Sequence, residues 1–380
     1  MATLTWIALA VVVYVYAGYP LALWTLARCR SRSIRKRDIT PSVSLIISAF
    51  NEAPSIRKKI ENSLNSDYPA DLLEIIVVSD ASSDDTDSIA REYAGRGVKL
   101  VRMPTRGGKT IGLNAAVPTA HGEIVVFSDA NIFYQKQAIR SLVRSFGDPS
   151  VGCVTGDSRY SNQHESAASF QESSYWEYER SIRSWESAIG STVGGDGAIF
   201  AIRKELYLPL RGDAINDFVT PLQIVSRGHR AVFEPAAVGL EASPGNFRAE
   251  FRRKRRVVNR SWRGVLSVPE VLNPMKSGLF AWEVWSHKVL RWLVLPFVLV
   301  IALGCLLSFP LGIGYRLMAL GFLASLAAAL AGLFIPERFV GVARLAHAAL
   351  YFYIVNIAAV IGIATALAGK VEVVWTPERG

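Results

Sequence analysis

Apolar residues are distributed along this chain in two ways. Residues 3–27 carry no charge, and three later runs, at about 290–309, 315–335 and 346–368, are nearly as apolar. Each matches the length of about 20 residues that a helix needs to cross a bilayer. Between them, short apolar runs stand apart from one another: SVSLIIS (42–48), EIIVVSD (74–80), VKLVRM (98–103), EIVVFSD (123–129) and VGCVTGD (151–157). The stretches 53–66, 83–95, 109–119 and 136–146 that separate them have helical patterning. Strand, helix, strand at this spacing predicts an α/β domain whose mostly parallel sheet is covered on both faces. A domain of this class, flanked by transmembrane helices, is the expected architecture.

Charge adds an orientation. Arg28, Arg30, Arg32, Arg35, Lys36 and Arg37 follow the first apolar run directly. The positive-inside rule puts them in the cytoplasm and the N-terminus outside. No basic region precedes the run and no small-residue cleavage site follows it, so a retained anchor is expected rather than a signal peptide. Residues 246–264 are basic with helical potential; Phe247, Phe251, Val258 and Trp262 recur at spacings near four. Residues 278–288 read as an amphipathic stretch at the interface. Arg338 and Arg344 favour a cytoplasmic loop between the last two spans, which leaves the C-terminus outside. The expected division is an anchor at 1–27, a basic linker at 28–40, the α/β domain at 41–245, interface helices at 246–289, about three spans in 290–370 and a tail at 371–380.

Composition narrows the function classes. The chain has 380 residues, 51% of them hydrophobic, and a net charge of +10. The excess charge lies beside membrane elements, which favours anionic lipid over nucleic acid as its partner. Cys29, Cys153 and Cys305 are far apart and share no spacing motif, so neither a zinc site nor a disulfide framework is expected.

Several polar residues fall where α/β sheets bind ligands, at the carboxyl ends of strands. Asp80, in VVSDASSDDT, can accept hydrogen bonds from a base or ribose, while the following Ser and Asp residues also suit a helix cap. Asp129, in FSDAN, precedes Asn131 by two positions, so both point the same way and can offer oxygens to a hard divalent ion. Either a phosphate-bridging ion or a plain turn fits. RGGKTIGLNAA (106–116) sets glycines and Lys109 before a helix, where backbone N–H groups and an ammonium can meet phosphate; it does not have Walker spacing. Asp217, in AINDFVTPLQI, can cap a helix or act as a general base. The stretch 172–189 carries Tyr175, Tyr178, Ile182, Trp185 and Ile189 on one helical stripe, with Trp176 off it as a candidate for stacking on a sugar. In GGDGAIF (194–200) the glycines permit close approach of a ligand or a tight turn.

The order of these segments is more specific than any one of them. SLIISAFNEAPSI, VVSDASSDDT, RGGKTIGLNAA, FSDAN, GGDGAIFAIRKELY, INDFVTPLQI and FRRKRRVVNRSWRG, over about residues 41–266, resemble the membrane-bound processive branch of glycosyltransferase family 2. That branch includes cellulose, chitin, hyaluronan and poly-N-acetylglucosamine synthases. The resemblance implies a GT-A nucleotide-sugar domain. It implies that Asn51, Glu52 and Asp80 sit by the base and ribose and that Lys109 lies near the diphosphate. Asp129 and Asn131 would take a Mg or Mn ion, and Asp217 would be the catalytic aspartate of the Thr-Glu-Asp motif. Gly194, Gly195 and Asp196 would line the acceptor side, with Arg256, Arg260 and Trp262 beside the acceptor or diphosphate.

Three positions depart from the family pattern. Ser79 precedes Asp80 where the family pairs two aspartates, Asn131 replaces an acidic residue, and the Gln-x-x-Arg-Trp signature is broken in RVVNRSWRG. The implied activity is inverting transfer of a sugar, with uridine diphosphate as the expected carrier, to a growing polysaccharide at the cytoplasmic face of the cell membrane. The broken signature leaves open a single transfer to a lipid carrier such as polyprenyl phosphate. A membrane protein that binds anionic lipid without turnover is the alternative of a different class. It does not account for three aspartates in the family's order.

Overall fold

A computed structural model describes residues 1–161, 166–242, 246–336 and 343–371. Arg338, the tail from residue 372 and the expected domain boundary at residue 245 lie outside them. The five predicted strands all form: β1 (Val43–Ala49), β2 (Leu73–Ser79), β3 (Val98–Arg102) and β4 (Ile124–Asp129) lie within about a residue of their apolar runs, and, after the two-residue β5 (Phe133–Tyr134), β6 (Val151–Tyr160) runs three residues past its own. Two more strands follow, β7 (Ile199–Arg203) and β8 (Arg230–Glu241). The sheet order is β3-β2-β1-β4-β7-β6-β8-β5.

The half from β3 to β4 is parallel, as β-branched runs buried on both faces dictate. Ile46, Ile76, Val125 and Phe127 pack on one face, and Leu45, Ile47, Val77 and Val126 on the other. β7 differs from the expectation of a mostly parallel sheet, since it runs antiparallel to both β4 and β6. It pairs Ile199 with Ser128, so the chain enters β7 at the edge where β4 ends. The loop before β7 therefore faces the carboxyl ends of β1, β2 and β4.

The helices are α1 (Ala2–Cys29), α2 (Ala53–Leu64), α3 (Thr86–Glu92), α4 (Lys109–Ala116), α5 (Ala138–Arg144), α6 (Ala167–Ile189), α7 (Asn216–Ser226) and α8 (Phe247–Leu266). Then come α9 (Leu279–Trp292), α10 (Val294–Leu307), α11 (Ile313–Phe334) and α12 (Arg344–Leu367). α1, α11 and α12 are long and apolar enough to cross a membrane. The expected span at 290–309 is not one straight helix: α9 and α10 meet at a bend of 59°. Pro296 supplies the reason, because it has no N–H for the carbonyl of Trp292 and its ring crowds that turn. Counted as one broken span, the pair brings the total to four.

The basic segment forms α8, capped by the Asn246 side chain, which accepts from Ala249 N at 2.8 Å. Its apolar side meets α12 backbone to backbone, since a Cβ on Gly362 would lie 2.7 Å from the Arg255 carbonyl oxygen. Asn259 ties the two together by donating to Gly362 O at 3.3 Å and Thr365 Oγ1 at 3.0 Å. α6 meets α1 through Tyr178, which donates to Tyr16 O at 3.0 Å. Tyr19 of α1 in turn donates to the buried Glu186 of α6 at 2.6 Å. The sheet is thus held against the apolar helices by buried polar contacts on two sides.

Candidate active site

The carboxyl ends of β1, β2 and β4, the loop before β7 and the start of α7 enclose a cavity of about 380 Å³. Asp80, Asp129 and Asp217 all line it, although they are far apart in sequence. Glu52, Lys109, Asn131, Asp196, Arg256 and Arg260 share its wall.

Each side chain has a local cause. Asp80 follows β2, and its carboxylate accepts from the backbone N–H groups of Gly107 at 2.8 Å and Gly108 at 2.9 Å. It therefore fixes the glycine loop as well as facing the cavity. Gly108, at φ 86 and ψ 161, occupies backbone space that a side chain would forbid, and it starts α4. That start aims Lys109 inward. Its ammonium donates to Asp129 Oδ1 at 2.5 Å and to the Gly197 carbonyl at 2.7 Å. Lys109 thus connects the end of β4 to the loop before β7.

Asp217 stands in the first turn of α7, where burial raises its pKa, the Lys109 ammonium lowers it, and Asp196 and Asp129 raise it again. A general base needs that upward shift. Gly197 is its close neighbour: an ideal Cβ there would lie 2.8 Å from Asp217 Oδ2. Asp196 is buried and accepts from Ser158 Oγ at 2.5 Å. Arg260 is tied by its Nε to Asp213 O at 3.0 Å and also reaches the Ala214 carbonyl, which braces the turn before α7.

Two expected residues do not line either cavity. Asn51 is in the left-handed region, at φ 53, and its side-chain oxygen accepts from Ser83 N at 2.8 Å. It joins the loops after β1 and β2 and does not face the cavity. Trp262 packs edge-on to Trp292, 6.2 Å between centroids, at the junction of α8 with α12.

A second cavity of about 530 Å³ lies on the membrane side. Its wall comes from α6, α8 and α9, from Tyr16 of α1, and from Tyr351, Phe352 and Val355 of α12. Gly194 and Gly195 line it, and Asp217, Gly195, Trp176, Ile215, Arg253 and Val257 line both cavities. Asp217 thus stands on the wall between them. The Trp176 indole donates to Glu172 Oε1 at 2.8 Å and to Tyr160 OH at 3.0 Å, and Arg183 lies 4.7 Å over its ring.

Sequence reasoning missed Glu241, whose carboxyl is pushed up to about 8 by burial and by Asp196 and Asp129, and which lines the first cavity. No motif marks it, because it enters the cavity from the end of β8. It also missed the roles of Arg183, Lys254, Lys288 and Arg291 in the second cavity.

Similarity to known proteins agrees with this geometry. Residues 44–208 match the model described as "Glycosyl transferase family 2". A Bacillus subtilis protein named "Probable glycosyltransferase YdaM" is 30% identical over 233 residues, which cover 57% of this chain and 54% of that one. The poly-beta-1,6-N-acetyl-D-glucosamine synthase of Staphylococcus epidermidis is 27% identical over 182 residues, covering 47% of this chain and 43% of that protein. The matched stretch thus spans about half the length of these curated relatives. A mannosyltransferase of Pyrobaculum calidifontis, solved in complex with GDP-Man and Mn2+, is 26% identical with a TM-score of 0.68. That likeness covers 95% of this chain and 99% of the other. Residues 44–208 are therefore a glycosyl transferase family 2 domain, on a GT-A fold.

Proposed function

We propose that the protein transfers a sugar, with inversion, from a nucleoside diphosphate donor in the first cavity to an acceptor hydroxyl in the second. The observation that carries this reading is the position of Asp217 on the wall common to both. Its carboxylate takes the hydroxyl proton as the oxygen forms a bond to the anomeric carbon. The bond from that carbon to the diphosphate breaks, and its electron pair leaves with the nucleotide. Lys109, Arg256 and Arg260 offset the charge that develops on the leaving group.

The donor wall also fits a divalent cation. Asp129 and Asn131 offer only oxygens, which suit Mg or Mn. Burial first, and then the charges of Asp196 and Asp129, raise both Glu241 and Asp217, which marks a carboxylate-rich wall that a cation would relieve. Among the described residues no three His, Cys, Asp or Glu side chains are grouped to hold an ion alone. Bound there by Asp129 and Asn131, the ion supplies charge neutralisation for the diphosphate.

The family resemblance implies a uridine carrier, whereas the full-length likeness to a protein solved with GDP-Man favours guanosine. The nearly unbroken cover of the second comparison gives guanosine the stronger support. The basic linker after α1 supports, by the positive-inside rule, a catalytic domain on the cytoplasmic side of the membrane. A growing polysaccharide and a lipid-linked head group would both enter through the second cavity.

Purified protein in detergent is given GDP- and UDP-sugars with manganese or magnesium, and products are read by mass spectrometry. Asp217→Asn is expected to abolish turnover and retain donor binding in a thermal-shift assay. Full activity in that variant overturns the assignment of the base.

A further inference from the structure

We infer that the second cavity takes an acceptor whose hydroxyl-bearing head group is joined to its lipid through a phosphate. This rests on the proposed function and specifies its acceptor.

Five Lys and Arg side chains line the cavity against two carboxylates, Glu179 and Asp217. Acids hold the arginines: Glu172 and Glu250 behind the wall, Glu179 on it, and Asp196, which lies 3.8 Å from Arg183. Arg253 is bound to Glu172 and to Glu250, and Arg291 to Glu179. The lysines are held more loosely. Lys254 comes no nearer than 3.4 Å to Glu250 and 3.5 Å to Glu172, and Lys288 is 3.5 Å from Glu179. Lys288 Nζ is also 3.2 Å from His287 Nε2, and Lys254 Nζ lies 4.1 Å over the Tyr175 ring; a phosphate oxygen at hydrogen-bond distance offers either ammonium a stronger contact than these. Arg183 is 6% exposed, and its Nε has no hydrogen-bond partner.

Ion pairs this long leave the two lysine ammoniums, and the unpartnered Arg183 Nε, poorly satisfied unless an anion in the cavity meets them. A neutral glycan does not do so. A phosphate does, and it forms charge-assisted hydrogen bonds with such groups.

The positions give the acceptor a direction. Asp217, as a base, calls for a hydroxyl nucleophile, because a phosphate oxygen at neutral pH has no proton that must be removed. The phosphate therefore lies away from Asp217, toward Lys288 and Arg291 on α9, ahead of the bend into α10. Tyr351, Phe352 and Val355 of the membrane-spanning α12 form the adjoining wall, where the first carbons of a lipid chain can pack. Hydroxyl, phosphate and hydrocarbon thus follow in the order in which the cavity runs from the catalytic domain to the bilayer.

The test is lipid retention by the full-length protein, read by native mass spectrometry. The probes are phosphatidylinositol, which has hydroxyls on a phosphodiester, and a monoglucosyl diacylglycerol, which has hydroxyls and no phosphate. Salt of roughly 0.5 M screens adsorption to the exposed basic segments and leaves a buried site engaged. Phosphatidylinositol is expected to be retained at least tenfold better, and Lys288→Gln and Lys254→Gln should each lower that preference by about tenfold. Lys288→Arg should restore it. Inorganic phosphate that displaces the lipid completely would assign the site to free phosphate and overturn the lipid claim. Equal retention of the neutral lipid, or an unchanged preference in both glutamine variants, would also overturn it. Wild-type protein that shows no thermal shift with any nucleotide sugar fails the proposed function itself; one that binds donor and prefers the neutral lipid fails only this inference.

Discussion

Replacement of Gly197 by alanine tests the position of the proposed base without changing any charge. An ideal Cβ at residue 197 would lie 2.8 Å from Asp217 Oδ2 and 3.1 Å from its Cγ. Contacts of that kind rarely fall below 3.4 Å, so the carboxylate must retreat by about half an ångström. Gly197 is not among the positive-φ glycines, so its backbone accepts alanine and the displacement falls on the side chain. A misplacement of about 1 Å costs on the order of 100-fold in rate, so half that distance costs about tenfold, or ~1.4 kcal/mol of barrier. The assay is steady-state kcat with saturating donor, beside donor affinity by calorimetry. The expected result is a tenfold lower kcat with donor affinity near that of the wild type. A Gly197→Ala protein that turns over at the full rate would refute the placement of Asp217 at the reacting hydroxyl.

Two further outcomes follow from buried charge. Lys59 on α2 is fully buried, its Nζ has no hydrogen-bond partner, and it lies 3.8 Å above the Tyr134 ring. Burial lowers its pKa to about 7, so below that pH the fold bears the full cost of the buried charge. Lys59→Met keeps the volume and should stabilise the protein by about 1–3 kcal/mol at pH 6. The gain should fade as pH rises from about 7 toward the usual lysine value, because the folded wild type then binds fewer protons than the unfolded chain. Thermal unfolding over that range checks both statements, and a destabilised variant at pH 6 would contradict them. Glu241 has the opposite sign. Its folded pKa of about 8 exceeds the ordinary 4.5, so the folded state binds the extra proton and stability falls as pH rises through this window. Glu241→Gln should flatten that slope between pH 5 and pH 8 in a chelator-treated sample; an unchanged slope would sink the assignment.

Much of the fold was legible because it depends on local pattern. The β-branched runs at β1, β2 and β4 admit only strands buried on both faces, and the aspartates that end or follow them had to emerge at one edge. The first and last apolar helices were likewise fixed by length and lack of charge. Other features depended on which residues meet across the chain. Asn51 carried the right motif for a nucleotide contact, yet its side chain is engaged by Ser83. Trp262 belonged to an imperfect signature and packs with Trp292. Asp129 pairs with Lys109 over 20 residues of chain, at a distance set only by the register of α4 against β4.

The residue pattern thus settled the strands, the spans and the acids that could share a cleft, because periodicity and hydrophobicity are properties of neighbours along the chain. Folding in three dimensions settled the rest. It reversed β7 so that Gly197 meets Asp217, and it brought Lys288 and Arg291 to the wall of a cavity that Asp217 shares. It also laid α8 against Gly362, which closes the second cavity. Each of these contacts joins segments distant in sequence, and no local pattern encodes the geometry of such a meeting.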